Sequence, residues 1–102
     1  MYIYTTIDMA GITEIFRALT DPTRMEILAM LREGDLTPSD MLNDLKISQP
    51  TLSHHLDILK KAGLIEGKRN GQFIEYTVNL SVFEMAVEYM MKFIKNPKEP
   101  KL

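Results

Sequence analysis

Residues 48–64 read SQPTLSHHLDILKKAGL, and residues 65–79 continue IEGKRNGQFIEYTVN. Ser48 suits a helix N-cap, because its hydroxyl accepts from an amide of the first turn. Pro50 suits that turn, because its missing N–H would find no partner there anyway. At about 100° per residue, Leu52, His55, Leu56, Leu59 and Ala62 gather on one side of the helix. Gln49, Ser53, Asp57 and Lys60 gather opposite, flanked by Pro50, His54 and Lys61. His55 is therefore expected as a hydrogen-bonded, partly buried histidine, and His54 as an outward one. The helix is predicted to run to about Ala62 and to stop at Gly63. Residues 64–69 and 72–79 then read as strands around Asn70-Gly71. That dipeptide predicts a hairpin with a type I′ turn, which needs positive φ at both central residues.

Upstream, Thr37-Pro38 repeats the cap-then-proline device, with Asp40 placed to favour the helix N-terminus. Met41, Leu42 and Leu45 give that short helix one buried face, and Lys46-Ile47-Ser48 joins it tightly to the next. Two short helices, a tight turn and a hairpin describe a helix-turn-helix with a β-wing. Further back, Asp21-Pro22 opens a helix with Ile27, Leu28 and Leu31 inward, and Gly34 ends it. Residues 9–19 carry Ile12, Ile15, Phe16 and Leu19 at helical spacing, with Asp8 as a candidate cap. Downstream, Ser81-Val82-Phe83-Glu84 reads as a capping box that starts a helix to about Lys95. The expected fold is mainly α with a β-hairpin wing (α+β), in the order α-α-α-α-β-β-α. Residues 1–8 are expected as an N-terminal extension, 9–95 as the domain, and 96–102 as a flexible tail.

The chain has 102 residues with 12 Lys+Arg against 14 Asp+Glu, a net charge of −2. That length fits one domain. The absence of cysteine excludes a disulfide scaffold, a Cys-ligated zinc site and a thiol nucleophile, and it suits a cytoplasmic location. The first residues lack the basic stretch of a signal peptide, and no apolar run approaches a membrane span. A pI near 5.6 argues on average against nucleic acid. The average conceals a segregated charge. Residues 1–45 hold three arginines against eight acids (−5), residues 46–72 hold five cations against two acids (+3), and the remainder is neutral. Local charge governs contact with phosphates, so the basic stretch over the fourth helix and hairpin matters more than the total.

The outward face of that helix offers short polar groups in its first turns: Ser48, Gln49, Thr51, Ser53 and His54. Gln bonds adenine bidentately and Ser or Thr bonds several bases, while Lys60 and Lys61 at the far end suit phosphates. Lys68 and Arg69 flank a turn that must protrude. An enzyme is not expected: Ser53 and His54 are helical neighbours that do not face each other.

Three stretches together resemble ArsR-type winged-helix repressors. Phe16-Arg17-Ala18-Leu19-Thr20-Asp21-Pro22-Thr23-Arg24 with Ile27-Leu28 is similar to their opening. Residues 48–56 and 59–65 look like their recognition helix, and Arg69-Asn70-Gly71-Gln72 with Tyr76 looks like their wing. The resemblance covers about residues 10–95. It implies a homodimeric transcription factor, usually a repressor, that binds an inverted repeat in double-stranded DNA. Carried over by position, Gln49, Ser53 and His54 read bases, and Lys68 and Arg69 meet phosphate. Thr37, Ser48, Thr51, Lys60, Lys61 and Gln72 are the further backbone contacts expected. Metal-sensing relatives use cysteines before the helix-turn-helix, or Asp and His on the last helix. Here residues 34–39 hold no cysteine and the last helix offers only Glu84 and Glu88, so no metal or other cofactor is expected. The pattern looks closest to the autorepressor branch, of the sporulation-delay-regulator kind, for which a regulatory protein partner is expected. The alternatives are a protein-interaction module on a winged-helix scaffold and a metal-responsive sensor.

From Leu80 to Ile94, 11 of 15 residues are apolar. A helix apolar on most sides must bury a second face, and a second copy of the chain supplies it most simply. Phe83, Val87, Met90, Met91 and Ile94 are the expected dimer contacts, with Ile12, Phe16 and Leu19 of the first helix beside them.

Overall fold

The computed structural model describes residues 9–95, with side chains from Gly11 onward. The candidate cap Asp8, the extension 1–8 and the tail 96–102 lie outside the described residues. Five helices and one hairpin follow in chain order: α1 (Met9–Ala18), α2 (Pro22–Glu33), α3 (Pro38–Asp44), α4 (Gln49–Lys61), β1 (Ile65–Asn70), β2 (Phe73–Val78) and α5 (Leu80–Ile94). This is the expected order.

The caps are largely those the sequence predicts. Asp21 accepts from the Arg24 amide, and Ser48 accepts from the Thr51 amide. Thr37 and Asp40 complete a reciprocal capping box, each side chain accepting from the other's backbone amide. α4 ends in a Schellman motif: Gly63, at φ 79°, donates to Lys60 and Leu64 donates to Leu59. Leu59 and Leu64 are both fully buried, which supplies the hydrophobic contact typical of that motif. Ile27, Met41, Leu52, Leu59, Leu64 and Ile65 form the deepest layer of the core, so every helix-turn-helix element is anchored in it.

Two expectations require correction. The first concerns the start of α5. Its N-cap is Asn79 and makes no side-chain cap bond, while Ser81 lies inside the helix and donates to Asn79 Oδ1 at 2.8 Å. The Asn79 amide is already bonded to the Leu64 carbonyl, so the helix begins at once behind the strand and the predicted capping box is not formed. The second concerns the hairpin turn. Asn70 pairs with Phe73, and the turn is Gly71-Gln72. Among its residues only Gly71 has positive φ (66°), which fits a II′ turn with Gly at its first central position rather than I′. The register puts Gly67 opposite Tyr76, and a Cβ on Gly67 would lie 3.1 Å from the Tyr76 ring. The aromatic ring needs a residue without a side chain across from it, and this outweighs the local preference of Asn-Gly.

One pairing was not foreseen. Leu36, between α2 and α3, exchanges both backbone bonds with Tyr76, at 2.8 and 3.2 Å. The base of the wing is thereby stitched to the segment leading into the helix-turn-helix.

Candidate nucleic-acid interface

The inward face of α4 is Leu52, Leu56 and Leu59, all buried. Gln49, Thr51, Ser53, His54, Lys60 and Lys61 are all exposed. The three expected base readers thus share one solvent face in the first two turns. Ser48 donates to Thr51 Oγ1 at 2.8 Å while accepting from the Thr51 amide. Its hydroxyl is committed to the cap, so the free donor of the pair is the Thr51 hydroxyl. Thr37 is likewise engaged as a cap and is half-buried.

The orientation of α4 is held from behind. Arg24 is only 8% exposed. Its Nε donates to the Ala18 carbonyl at 2.8 Å and its Nη2 to the Arg17 carbonyl at 3.3 Å, so the guanidinium caps the C-terminus of α1. Its Nη1 stands 3.1 Å from His55 Nδ1 on α4. Arginine can only donate, so this ring nitrogen accepts and the imidazole proton sits on Nε2. The His55 side chain is 12% exposed, the partly buried histidine that the helical wheel predicts. The Asp21 carboxylate lies 3.8 Å from the same nitrogen. Its bond from the Arg24 amide holds the Asp21 carboxyl below the ordinary value against the opposing effect of desolvation, with the nearby Arg24 charge and the Thr23 amide lowering it further. The sequence pointed to Asp21 as a cap but not to Arg24 as a buried hub. The only available signal was an arginine three residues after a capping Asp, inside the matched opening.

Lys60 lies 3.7 Å from Asp57 and 5.9 Å from the centroid of the Tyr76 ring, so it joins α4 to the wing. Lys61 makes no ion pair among the described residues. Cross-strand partners share a face of a ribbon. Arg69 therefore lies with Ile74, Gly67 and Tyr76, whereas Lys68 lies on the other face with Glu75, Asn70 and Phe73. The two wing cations thus point to opposite sides of the ribbon. Gln72 occupies the exposed turn.

α5 has two apolar sides. Val82 and Ala86 are buried in the core, and Tyr89 packs near Phe16 of α1 with ring centroids 6.2 Å apart. The opposite side carries Leu80, Val87, Met90, Met91 and Ile94, at most half-buried. Val87, Met90, Met91 and Ile94, four of the five dimer contacts expected on this helix, lie on this side away from the core, whereas Phe83 is partly buried and packs against the protomer's own core. Leu80 and Phe93, the latter 76% exposed, extend the apolar surface beyond the expected set. Ile12 needs correction: it is 6% exposed and belongs to the protomer's own core, because α1 turns it toward Ile15 and Ala18. Phe16 and Leu19 are only partly buried. Among the described residues, no group of three or more His, Cys, Asp or Glu side chains is placed to hold a metal ion. No described helix is long and apolar enough to cross a membrane.

Comparison with known proteins agrees with this geometry. Residues 21–67 match the model of the bacterial regulatory protein family arsR. Over 80 residues the chain is 45% identical to the transcriptional repressor SdpR of Bacillus subtilis (strain 168), covering 78% of this chain and 89% of that one. An ArsR-like transcriptional regulator from Rhodococcus sp. RHA1 superposes with a TM-score of 0.77 at 28% identity, over 82% of this chain and 79% of that one. The solution structure of a homodimeric winged helix-turn-helix DNA-binding domain from Mycobacterium bovis superposes with a TM-score of 0.72 at 20% identity. It covers 90% of this chain and 86% of that domain, and at this identity it bears on the fold alone.

Proposed function

The chain belongs to the ArsR family of bacterial regulatory proteins, and from that premise we propose that it is a dimeric, sequence-specific DNA-binding transcriptional repressor. The observation that carries the reading is the exposed polar face of α4, held from behind by Arg24 and flanked by a projecting basic wing. In this reading α4 enters the major groove. Gln49, Ser53 and His54 meet base edges, while the Thr51 hydroxyl, Lys61 and the wing cations meet the backbone. Ser48 and Thr37 act indirectly, by fixing the first turns of α4 and α3. Lys60 contributes positive charge at the junction of helix and wing.

The second apolar side of α5 is covered by the same side of a second copy, with Phe16 and Leu19 of α1 beside it. Two α4 helices then stand about 34 Å apart on successive major grooves of an inverted repeat. If each subunit neutralises three or four phosphates, log affinity falls against log salt with a slope of roughly −5 to −7. Residues 9–95 form the working domain, acting in the cytoplasm. Control by a regulatory protein partner belongs to this reading, since the sequence offers neither cysteines nor a histidine on its last helix for a metal.

Selection of bound DNA from a random pool tests the proposal. The expected product is an inverted repeat with one helical turn between half-site centres. On that DNA, Gln49→Ala should lose roughly 1–3 kcal/mol relative to random DNA. An equal loss on both DNAs removes Gln49 from base reading, and no enrichment at low salt favours a protein-interaction module.

A further inference from the structure

Asp57 is the one acidic residue of α4, and it stands on the exposed face that the reading above turns toward DNA. At about 100° and 1.5 Å per residue, it lies about 6 Å further along the helix than Ser53. Around the axis it is about 40° from Ser53 and about 60° from His54, so it continues their face by one turn. Its side chain is 62% exposed, and its one ion pair among the described residues is a solvated contact of 3.7 Å to Lys60. Such a pair adds little to stability, so neither the fold nor the helix end accounts for an acid here. A carboxylate is repelled by phosphates, and a face built only for the DNA backbone would omit it. The major groove offers a carboxylate two kinds of donor, cytosine N4 and adenine N6. Adenine N6 has an acceptor on each side, N7 of its own ring and O4 of the paired thymine, and both repel a carboxylate. Cytosine N4 has such a neighbour on one side alone, guanine O6, and the Lys60 ammonium beside Asp57 offsets it.

We propose that Asp57 is a specificity-determining residue, whose carboxylate accepts from cytosine N4 at one C·G pair of each half-site, beyond the pairs met by Ser53 and His54. This rests on the DNA-binding reading above and adds an acidic determinant to a face that is otherwise polar or basic.

Selection from a random pool, run in parallel with the full chain, Asp57→Ala and Asp57→Asn, tests it. Wild type is expected to fix C·G at one position of each half-site. Asp57→Ala should leave that position unspecified and every other position as before, with its helix content unchanged. Asp57→Asn should select A·T there, because an amide bonds adenine N6 and N7 together. In the wild-type site, N4-methylcytosine at that position keeps its pair with guanine but replaces the outward N–H by a methyl group. That base should weaken wild type roughly tenfold and Asp57→Ala hardly at all. Equal weakening of the two proteins overturns the proposal. So does selection of one and the same sequence by wild type and Asp57→Ala with a uniform gain in the variant's affinity, which would leave the carboxylate a repulsive charge only. Both outcomes leave DNA recognition standing, whereas enrichment by none of the three chains overturns that recognition and the proposal with it.

Discussion

Arg24 has five N–H donors in a rigid fork and no acceptor. The fork spans two carbonyls at the end of α1 and the imidazole of α4. Removing it takes the donor from the buried Ala18 carbonyl and from His55 Nδ1, while the Arg17 carbonyl keeps its bonds from Thr20. Arg24→Met is expected to cost about 2–4 kcal/mol in urea unfolding, and Arg24→Lys only somewhat less, because a point ammonium cannot reach three acceptors. Asp21 offers a pH test. Its folded-state carboxyl is held below the ordinary 3.8, so its stabilisation is fully present above that value and is lost as the pH falls through the lower folded one. The stability gap between wild type and Asp21→Asn should be constant from neutral pH down to about 4 and narrow only below it. Lys46, in the turn between α3 and α4, is the one non-glycine with positive φ (41°) among the described residues. Asn tolerates this conformation and a β-branched residue does not. Lys46→Val should therefore lose about 1–2 kcal/mol, and Lys46→Asn should match or slightly exceed wild type.

At the scale of elements, α4 is the most legible part of the molecule. Its cap, its leucine face and its glycine stop each follow from local chemistry, and they agree with one another. Gly63→Ala should cost about 1 kcal/mol or more because the Schellman position forbids a Cβ, and Ser48→Ala about 1 kcal/mol through loss of the cap. Both are checked by thermal melting. The wing was legible in kind but not in register. Moving the turn from Asn70-Gly71 to Gly71-Gln72 slides each strand partner by two residues, which keeps every side chain on its own face. Hydrophobic alternation therefore cannot distinguish the two registers. The fit of Tyr76 over Gly67 decides between them, and it joins residues whose relation no local pattern reveals. The same holds for the Leu36 pairing and for the hub at Arg24, which depend on segments meeting in space. The exposed α4 face was visible from the sequence because it repeats at the helical period. The separation of Lys68 from Arg69 follows from strand alternation.

At the scale of the whole molecule, the proposed dimer rests on α5. Its outer side is apolar over the full helix, and a protomer alone leaves it in water. Val87 lies in the middle of that side. In the proposed dimer Val87→Asp puts a charge into the interface twice, once from each copy, and should weaken dimerisation by roughly two orders of magnitude while leaving helix content unchanged. Sedimentation and circular dichroism read the two effects separately. Operator affinity should fall with it, since one half-site has to bind without its mate. The acidic first segment and the basic helix and wing also give the protomer a segregated charge, with its phosphate-seeking groups in the middle of the sequence, over residues 46–72.

The bond pair between Leu36 and Tyr76 makes the hairpin a cantilever. At its root, three chain segments lie side by side and Ile65 and Tyr76 are clamped in the core. Past that support, two strands project with solvent on every side. Deflection of such a beam grows steeply with distance from the clamp, so fluctuation should be smallest at Tyr76 and largest at Gln72. Amide exchange would register this as a gradient of protection along β2. The arm can then adjust its tip to the contour of whatever it meets without disturbing α4, whose own mounting is separate and stiff.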